Sequence, residues 1–153
     1  GVSSLVPQGT PLPGGEELEL AIFSPHGQRL WRLRCKAAAL TNAERLEAQE
    51  IRGEYYVTSP PTAFTAEKLH YEPDRVSLSL SRVVVTGPGL KLTGRELSWE
   101  EKSRSFFVEG GYSLSKDGVI MEGERLQIQK DFAALRAVGP VRLSLPLERS
   151  GVK

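Results

Sequence analysis

The chain has 153 residues, 39% of them hydrophobic and 25% charged, and its 20 Lys and Arg against 19 Asp and Glu give a formal net charge of +1. A domain of this size buries roughly 70% of the surface that its unfolded chain exposes, so we expect one core rather than two. The balanced charge excludes a global attraction to nucleic acid. The single cysteine, Cys35, excludes an internal disulfide and a cysteine-rich metal site.

The first fifteen residues differ in composition from the rest of the chain. They include Pro7, Pro11, Pro13 and four glycines, which disfavours both helices and sheet ladders. We therefore predict a flexible lead-in over 1–15, one domain over 16–148 and a short tail over 149–153. The sequence begins without an initiator methionine, which favours a processed or trimmed form.

From residue 18 onward, apolar residues alternate with polar ones, as at Leu18, Leu20 and Ile22. A period of two predicts half-buried β-strands. The segment 36–52 allows a second interpretation, because its run of alanines and its leucines are good helix formers.

A repeated motif sets the predicted architecture. The pattern apolar-x-small-x-x-Leu-x-bulky occurs over 64–71, 92–99 and 121–128, at steps of 28 and 29 residues. In a second column we align Gly53, Ser81, Gly110 and Gly139, at steps of 28, 29 and 29 residues. Turn residues separate the columns. Each unit is therefore two strands and two turns, and such units must share a core with their neighbours.

The pattern also predicts how each unit bends. A bulge near Ser81 and Arg82 would return Val83 to the face of Leu80, whereas 106–114 needs no shift. The glycines of the second column suit bends or close backbone approach. We expect an all-β fold, namely an elongated twisted β-jelly roll or folded-over antiparallel sheet of about four two-strand repeats.

The interior of such a roll has two interpretations. The apolar lining is either an ordinary closed core or an open trough for acyl chains, in which each buried methylene contributes about 0.8 kcal/mol. Periodicity does not distinguish the two.

The two columns resemble the repeats of the lipopolysaccharide-export β-jelly-roll superfamily, also called the organic-solvent-tolerance family, over residues 18–145. Phe23, Gly27, Leu30, Trp31 and Leu33, followed by an Ala-rich strand, are most similar to the opening of its inner-membrane-anchored periplasmic component, the LptC type. They are less similar to the soluble periplasmic bridge protein of the same pathway.

The resemblance implies a periplasmic protein that accepts lipopolysaccharide from an inner-membrane ABC exporter and passes it to a bridging jelly-roll protein for outer-membrane assembly. It also implies an N-terminal membrane helix, which we expect to be missing from this chain. Two alternatives stay open: the soluble bridge protein itself, and a scaffold that assembles by strand addition without binding lipid.

The resemblance assigns the repeat columns to the lining of the trough that holds the acyl chains of lipid A. These residues are Leu69, Tyr71, Leu78, Leu80, Val83, Leu97, Trp99, Phe106, Val108, Tyr112, Leu126, Ile128, Val141 and Leu143.

Two further expectations concern the mouth and the edge of this trough. Lys91, Arg95 or Arg82 would screen lipid phosphates at the mouth. The strand 140–147 would dock a partner sheet, although Pro146, Glu148 and Arg149 would instead guard that edge against pairing.

The sequence offers little for catalysis. His26 and His70 have no ligand neighbours at metal-binding spacing, and Cys35 has no partner for a Cys-His nucleophile, so we expect it to be a buried strand residue. The Gly-rich stretch 87–94 lacks the ending of a phosphate loop and is predicted to be a hairpin. We expect no enzymatic activity, metal or cofactor.

Overall fold

The computed structural model describes residues 17–41 and 44–146. Its strands are β1 (Leu18–Phe23), β2 (Arg29–Leu40), β3 (Leu46–Tyr55), β4 (Thr62–Glu72), β5 (Ser77–Gly87), β6 (Leu90–Glu100), β7 (Ser105–Lys116), β8 (Val119–Gln129) and β9 (Leu135–Ser144). They form one antiparallel sheet whose order follows the sequence from β1 to β9 without closing into a barrel.

This architecture confirms the predicted all-β fold. The helical interpretation of 36–52 is wrong, because the described part of that segment contributes to β2 and β3. The lead-in 1–15 and the tail 149–153 lie outside the described residues. Within the described ranges, no helix has the length and apolar character needed to cross a membrane.

The repeated motif maps onto alternate strands and marks the place where each one bends. Its three copies occupy β4, β6 and β8. On β4 both Glu67 and Lys68 are exposed, while Ala66 and Leu69 on either side are buried. Since successive side chains of a flat strand point to opposite faces, two successive outward residues require a bend. The paired x positions of the motif are therefore this bend.

Equivalent outward pairs form a continuous line across the sheet, which we call the crease. It runs through positions 36–37, 49–50, 67–68, 81–82, 95–96, 109–110, 124–125 and 138–139, from β2 to β9. Left-handed backbone conformations mark it, with φ of +50° at Ala37, +54° at Glu50, +50° at Arg82 and +85° at Gly110. Such residues redirect a strand and shift its alternation.

The bulge predicted on β5 is wrong, because the strand pairing contains no extra residue there. The change of face that the bulge was expected to produce is nevertheless present. Val83 is buried like Leu80, but β5 keeps one register with β4 and β6 on both sides of Arg82. The left-handed φ of Arg82 makes the change of face without an extra residue. Register shifts occur instead along β7, where we expected none.

The crease divides the sheet into two walls whose apolar faces pack together. The first wall contains β1 and 29–35, 51–55, 62–66, 83–87, 90–94, 112–116, 119–123 and 141–144; the second contains the remaining strand segments beyond the crease. Tyr55 in the first wall lies 5.0 Å, ring to ring, from Phe106 in the second. Phe64 also stacks on Phe106, at 6.0 Å. The folded sheet is therefore a sandwich made from one continuous set of strands.

One insertion interrupts the repeat. Six residues, 56–61, connect β3 to β4, whereas two residues, 88–89, connect β5 to β6. Gly53 pairs with Phe64 in the same way that Val85 pairs with Leu92. Our alignment of Gly53 with Ser81 is therefore wrong. The longer loop changes the number of residues between equivalent positions, but the strands still pair in the same way. The expected close approach at Gly53 is present, since an added Cβ would lie 2.5 Å from the carbonyl oxygen of Arg32.

The two edges of the sheet differ in burial. Leu18, Leu20 and Ile22 on β1 are buried. On β9, Val141 is 46% exposed and Leu143 is 58% exposed, although they pair with Gly123 and Met121 on the inner face of β8. The inner face is therefore uncovered at the β9 edge.

Candidate functional site

The fourteen residues predicted to line a trough separate into two groups. Twelve of them are buried, from Leu69 to Ile128 along the chain, and they form part of one hydrophobic cluster. Val141 and Leu143 are exposed. In this conformation the apolar surface available to a ligand lies at the β9 edge, while the other predicted positions pack against one another.

The strand ends opposite the crease form a mouth between two lips. The loop 56–61 and the turn 88–89 belong to the first lip, and the turn 130–134 belongs to the second. A cavity of about 330 Å³ lies between them, which we call the lip cavity. Its lining comprises Val57, Thr58, Ser59, Pro60, Thr62, Gly87, Pro88, Leu90, Lys116, Asp131, Phe132 and Leu135. The inserted loop after β3 supplies much of one side.

Phe132 separates the lip cavity from the aromatic core. Its ring lies 6.2 Å from that of Tyr55 and 5.5 Å from that of Phe106. Its φ of +63° is uncommon for a bulky residue. Hydrogen bonds within the turn hold it: Phe132 N–H donates to Gln129 O at 2.8 Å, Gln129 N–H to Ala134 O at 2.9 Å, and Ala133 N–H to Asp131 Oδ1 at 2.9 Å. Lys130 N–H also donates to Arg104 O at 3.1 Å, which ties this turn to the neighbouring one. The half-buried ring of Phe132 therefore closes the inner end of the lip cavity.

Three polar atoms in the aromatic core have no well-aligned hydrogen-bond partner among the described residues. They are Nε1 of Trp31, Nε1 of Trp99 and Oη of Tyr55. The ring of Trp31 lies 4.8 Å from that of Tyr55 and 5.7 Å from that of Trp99. A buried polar group without a partner costs about 1–3 kcal/mol, so most such groups in proteins are paired. We call these three atoms the polar cluster.

Burial keeps the Tyr55 hydroxyl protonated. Desolvation raises the pKa of the Tyr55 hydroxyl well above its ordinary value; a weak hydrogen-bonding contact from the Trp99 side chain opposes this rise, and the charge of Asp131 adds to it. Tyr55 is therefore neutral at physiological pH. Its hydroxyl remains a hydrogen-bond donor and acceptor.

Lys130 is a cation at the second lip. Its Nζ lies 5.2 Å from the centroid of the Trp99 ring and donates to the carbonyl oxygen of Glu101. Burial lowers the pKa of Lys130, and the charges of Glu101 and Glu100 oppose that effect. Lys116 is a second cation beside the lip cavity. Neither lysine was a candidate from the sequence, because both occur in stretches that show only turn signals.

Two of the basic residues expected at the mouth lie elsewhere. Arg82 and Arg95 are exposed at the crease, on the side of the molecule away from the lips, and Arg82 pairs with Glu67 at 3.5 Å. These two residues occupy strand centres rather than strand ends, so they do not lie at this mouth. Lys91 is exposed near the first lip, one residue after the start of β6.

The other potentially reactive side chains, Cys35 and His70, make contacts within the fold. Cys35 is buried, as predicted, with its Sγ 3.7 Å from the carbonyl oxygen of Leu18, and burial raises its pKa to about 11. His70 on β4 contacts Glu47 at 2.6 Å and Glu72 at 3.3 Å. Over 17–41 and 44–146, His, Cys, Asp and Glu form no group of three able to hold a metal ion.

The β9 edge carries backbone groups that no other described strand pairs with. β9 begins at Leu135, five residues earlier than the strand we predicted, and ends at Ser144. Pro140 lies on it, and proline is compatible with an edge strand. Glu148 and Arg149, the predicted guards, lie outside the described residues. The edge thus combines unpaired backbone with exposed Val141 and Leu143.

No protein-family model matches the chain, and no curated protein matches it. The functional inference therefore depends on the fold, the exposed β9 edge and the lip cavity.

Proposed function

We propose that the protein is a periplasmic, non-enzymatic carrier of lipopolysaccharide, tethered to the inner membrane by an N-terminal helix outside this sequence. It accepts lipopolysaccharide from an inner-membrane ABC exporter and passes it to a bridging jelly-roll protein. The observation that carries the proposal is the inner apolar face left uncovered at β9, where Val141, Leu143 and Leu145 are 46%, 58% and 69% exposed.

An acyl chain is a suitable cover for this face. Fully burying an aliphatic side chain of this size contributes about 1.5–3 kcal/mol. The three side chains follow at every second residue, which places them along one face of an extended segment. Alkyl chains can lie against this row with their polar head in water. The same face continues into the buried columns of β8 and β7.

The unpaired edge of β9 provides a way to pass the lipid to a partner protein. An extended strand of a partner can add to β9 through main-chain hydrogen bonds. Such addition would continue both walls beyond β9, so that the apolar face of the carrier joins that of the partner. The missing N–H of Pro140 leaves the edge one donor short, which favours partner strands whose register tolerates it.

A second candidate function is a scaffold that joins partner sheets without carrying lipid. The observation in its favour is the packing of the interior, where Trp31, Tyr55, Phe64 and Phe106 contact one another across the walls. A core of this kind needs no ligand to be filled.

Site-specific photo-crosslinking distinguishes these functions. A photoreactive residue at Leu143, on the inner face, is compared with one at the adjacent Arg142, on the outer face. The carrier function predicts lipopolysaccharide adducts at 143 and few at 142. Equal labelling at both positions contradicts it. Absence of adducts, combined with retained binding of a partner jelly roll by the delipidated protein, supports the scaffold.

A further inference from the structure

We propose that Lys116 recognises the anionic headgroup of a lipid, such as a phosphate monoester, while an acyl chain of the same lipid lies on the apolar inner face beside it. This inference rests on the proposed function and deepens it by naming a residue that determines which lipid is bound. Lys116 is the last residue of β7 and lies at the mouth, where it lines the lip cavity.

The strand pairing places Lys116 on the inner face of the first wall. Leu114, two residues earlier on β7, is buried in the core, and side chains two residues apart on a strand point to the same face. Lys116 opposes Leu90 on β6 and Val119 on β8. Its side chain is 48% exposed. The inner face of β7, which is apolar towards the core, therefore ends in a cation at the mouth.

Accessible apolar side chains adjoin Lys116 on this face. Leu143 on β9 opposes Met121 on β8, and Leu145 follows two residues after Leu143. Val119 and Met121 are half-buried, whereas Leu143 and Leu145 are exposed. We call these four residues the apolar strip. Neighbouring strands lie about 5 Å apart, so the strip begins beside Lys116 and extends about 10 Å to the free edge of β9.

This arrangement suits a lipid that enters from the free edge. A chain on the apolar strip would cover exposed aliphatic surface, which contributes about 25 cal/mol per Å² removed from water. Its charged end would reach Lys116 at the mouth and remain in contact with water. Neither part of the lipid would have to enter the aromatic core.

Lys116 is available for an anionic partner. Among the residues that the structure describes, its ion pair is with Asp117 at 3.6 Å, and the Asp117 side chain is 74% exposed. Exposed pairs of this kind contribute about 0–1 kcal/mol. Asp131 lines the lip cavity from the second lip, where its Oδ1 accepts a hydrogen bond from Ala133 N–H. An anion held against the apolar strip is less screened by water than Asp117, so its attraction to Lys116 is stronger.

Neither half of this site is sufficient for tight binding. A free anion would gain only one exposed ion pair, and a neutral amphiphile would gain only the apolar contact. The geometry therefore favours a ligand that joins an alkyl chain directly to a negative charge.

The role of Lys116 is tested with two probes that share a dodecyl chain: dodecyl phosphate, which is anionic, and pentaethylene glycol monododecyl ether, which is neutral. Isothermal titration calorimetry below the micellar concentrations measures their affinities. Lys116→Met should weaken binding of dodecyl phosphate by about three- to tenfold and leave the neutral probe within about twofold. Inorganic phosphate should show no measurable binding at the same concentrations.

Lys68→Met is the matched control. It removes the same charge from an exposed position on β4 at the crease, away from the lips. Both affinities should then stay within about twofold of those of the unmodified protein.

Failure of dodecyl phosphate to bind the unmodified protein would overturn the proposal. So would equal weakening of both probes by Lys116→Met, no weakening of either, or the same effect from Lys68→Met. Binding of inorganic phosphate that depends on Lys116 would overturn it as well, because the chain would then be unnecessary. If lipopolysaccharide still crosslinks at position 143 after such a result, the carrier function survives. If neither probe binds and no adduct forms at 143, the carrier function is refuted too.

Discussion

The indole ring of Trp31 on β2 lies edge-on to that of Trp99 on β6, with centroids 5.7 Å apart and planes at 77°. Three strands separate β2 from β6 in the sheet, so these rings meet only because the sheet folds at the crease. Edge-to-face pairs of this type contribute about 0.5–1.5 kcal/mol beyond the burial of their area. Packing between the walls, rather than strand pairing alone, holds the fold closed.

The two faces of β7 should differ sharply in their contribution to stability. Phe106→Ala should lower the free energy of unfolding by about 3–5 kcal/mol, because it leaves a cavity between the walls. Phe107→Ala, one residue away on the outer face and 41% exposed, should cost about 1 kcal/mol or less. Urea denaturation measures both. Similar losses for the two variants would contradict the assignment of faces.

The crease depends on the left-handed conformation of Arg82. Arg82→Val should destabilise the fold by about 1–2 kcal/mol more than Arg95→Val, because a β-branched residue strongly disfavours positive φ. Arg95 is the control, since it is also exposed at the crease but its φ is not in the left-handed region. Thermal and urea unfolding of the two variants provide the comparison. A larger loss for Arg95→Val would place the strain elsewhere.

Cys35 should be unreactive in the folded protein. Its side chain is fully buried and its pKa is raised from 9.0 to about 11 by burial, so little thiolate forms at pH 8 and reagents cannot reach it. Ellman's reagent should titrate one thiol in denaturant and almost none under native conditions. Rapid native labelling would show that the contact between β1 and β2 opens readily.

Stability should fall in alkaline solution. Because the folded-state pKa of Cys35 lies above its ordinary value, the corresponding stabilisation is complete below pH 9 and is lost as the pH rises towards about 11. The full loss is about 2–3 kcal/mol. Tyr71, whose pKa burial raises from 10.0 to about 12, adds a further loss above pH 10.

The variant Cys35→Ala isolates the first part of this pH dependence. Its unfolding free energy should change less between pH 9 and pH 10 than that of the unmodified protein. An identical pH profile for both proteins would show that Cys35 does not contribute.

Substitutions on the inner face of the β9 edge should reduce the transfer of lipopolysaccharide to a partner without unfolding the protein. The double variant Val141→Asp, Leu143→Asp should keep its stability within about 1 kcal/mol, since both side chains are exposed. Transfer of lipopolysaccharide to a bridging jelly roll should decrease strongly, because two charges then line the inner face. Arg142→Asp, which alters the outer face between them, is the control and should transfer normally.

Much of the fold follows from local pattern. The alternation at Leu18, Leu20 and Ile22 identifies β1, and the registered copies of the apolar-x-small-x-x-Leu motif identify β4, β6 and β8. These signals are readable because burial imposes the same side-chain requirement in each repeat. The alanines at 37–39 favour helix locally, yet their segment joins the sheet because it pairs with β3, as at Ala39 and Glu47.

The candidate site was harder to predict from the sequence than the fold, because it depends on how the two lips lie relative to each other. Phe132 belongs to a turn, and turn signals do not reveal that its ring reaches Tyr55 across the mouth. The loop 56–61 appears in the sequence only as an irregular spacing. Arg82 and Arg95 were misplaced because spacing alone does not show whether a residue lies at the centre of a strand or at its end.

The sequential order of the strands has a consequence for how such a protein can change in size. Each strand pairs only with those next to it in the chain, so duplication of a terminal hairpin would add a unit without breaking an existing pair. Growth at β9 would lengthen the molecule while leaving earlier units unchanged. Duplication can therefore lengthen the apolar interior by whole repeats, independently of the residues near the lips.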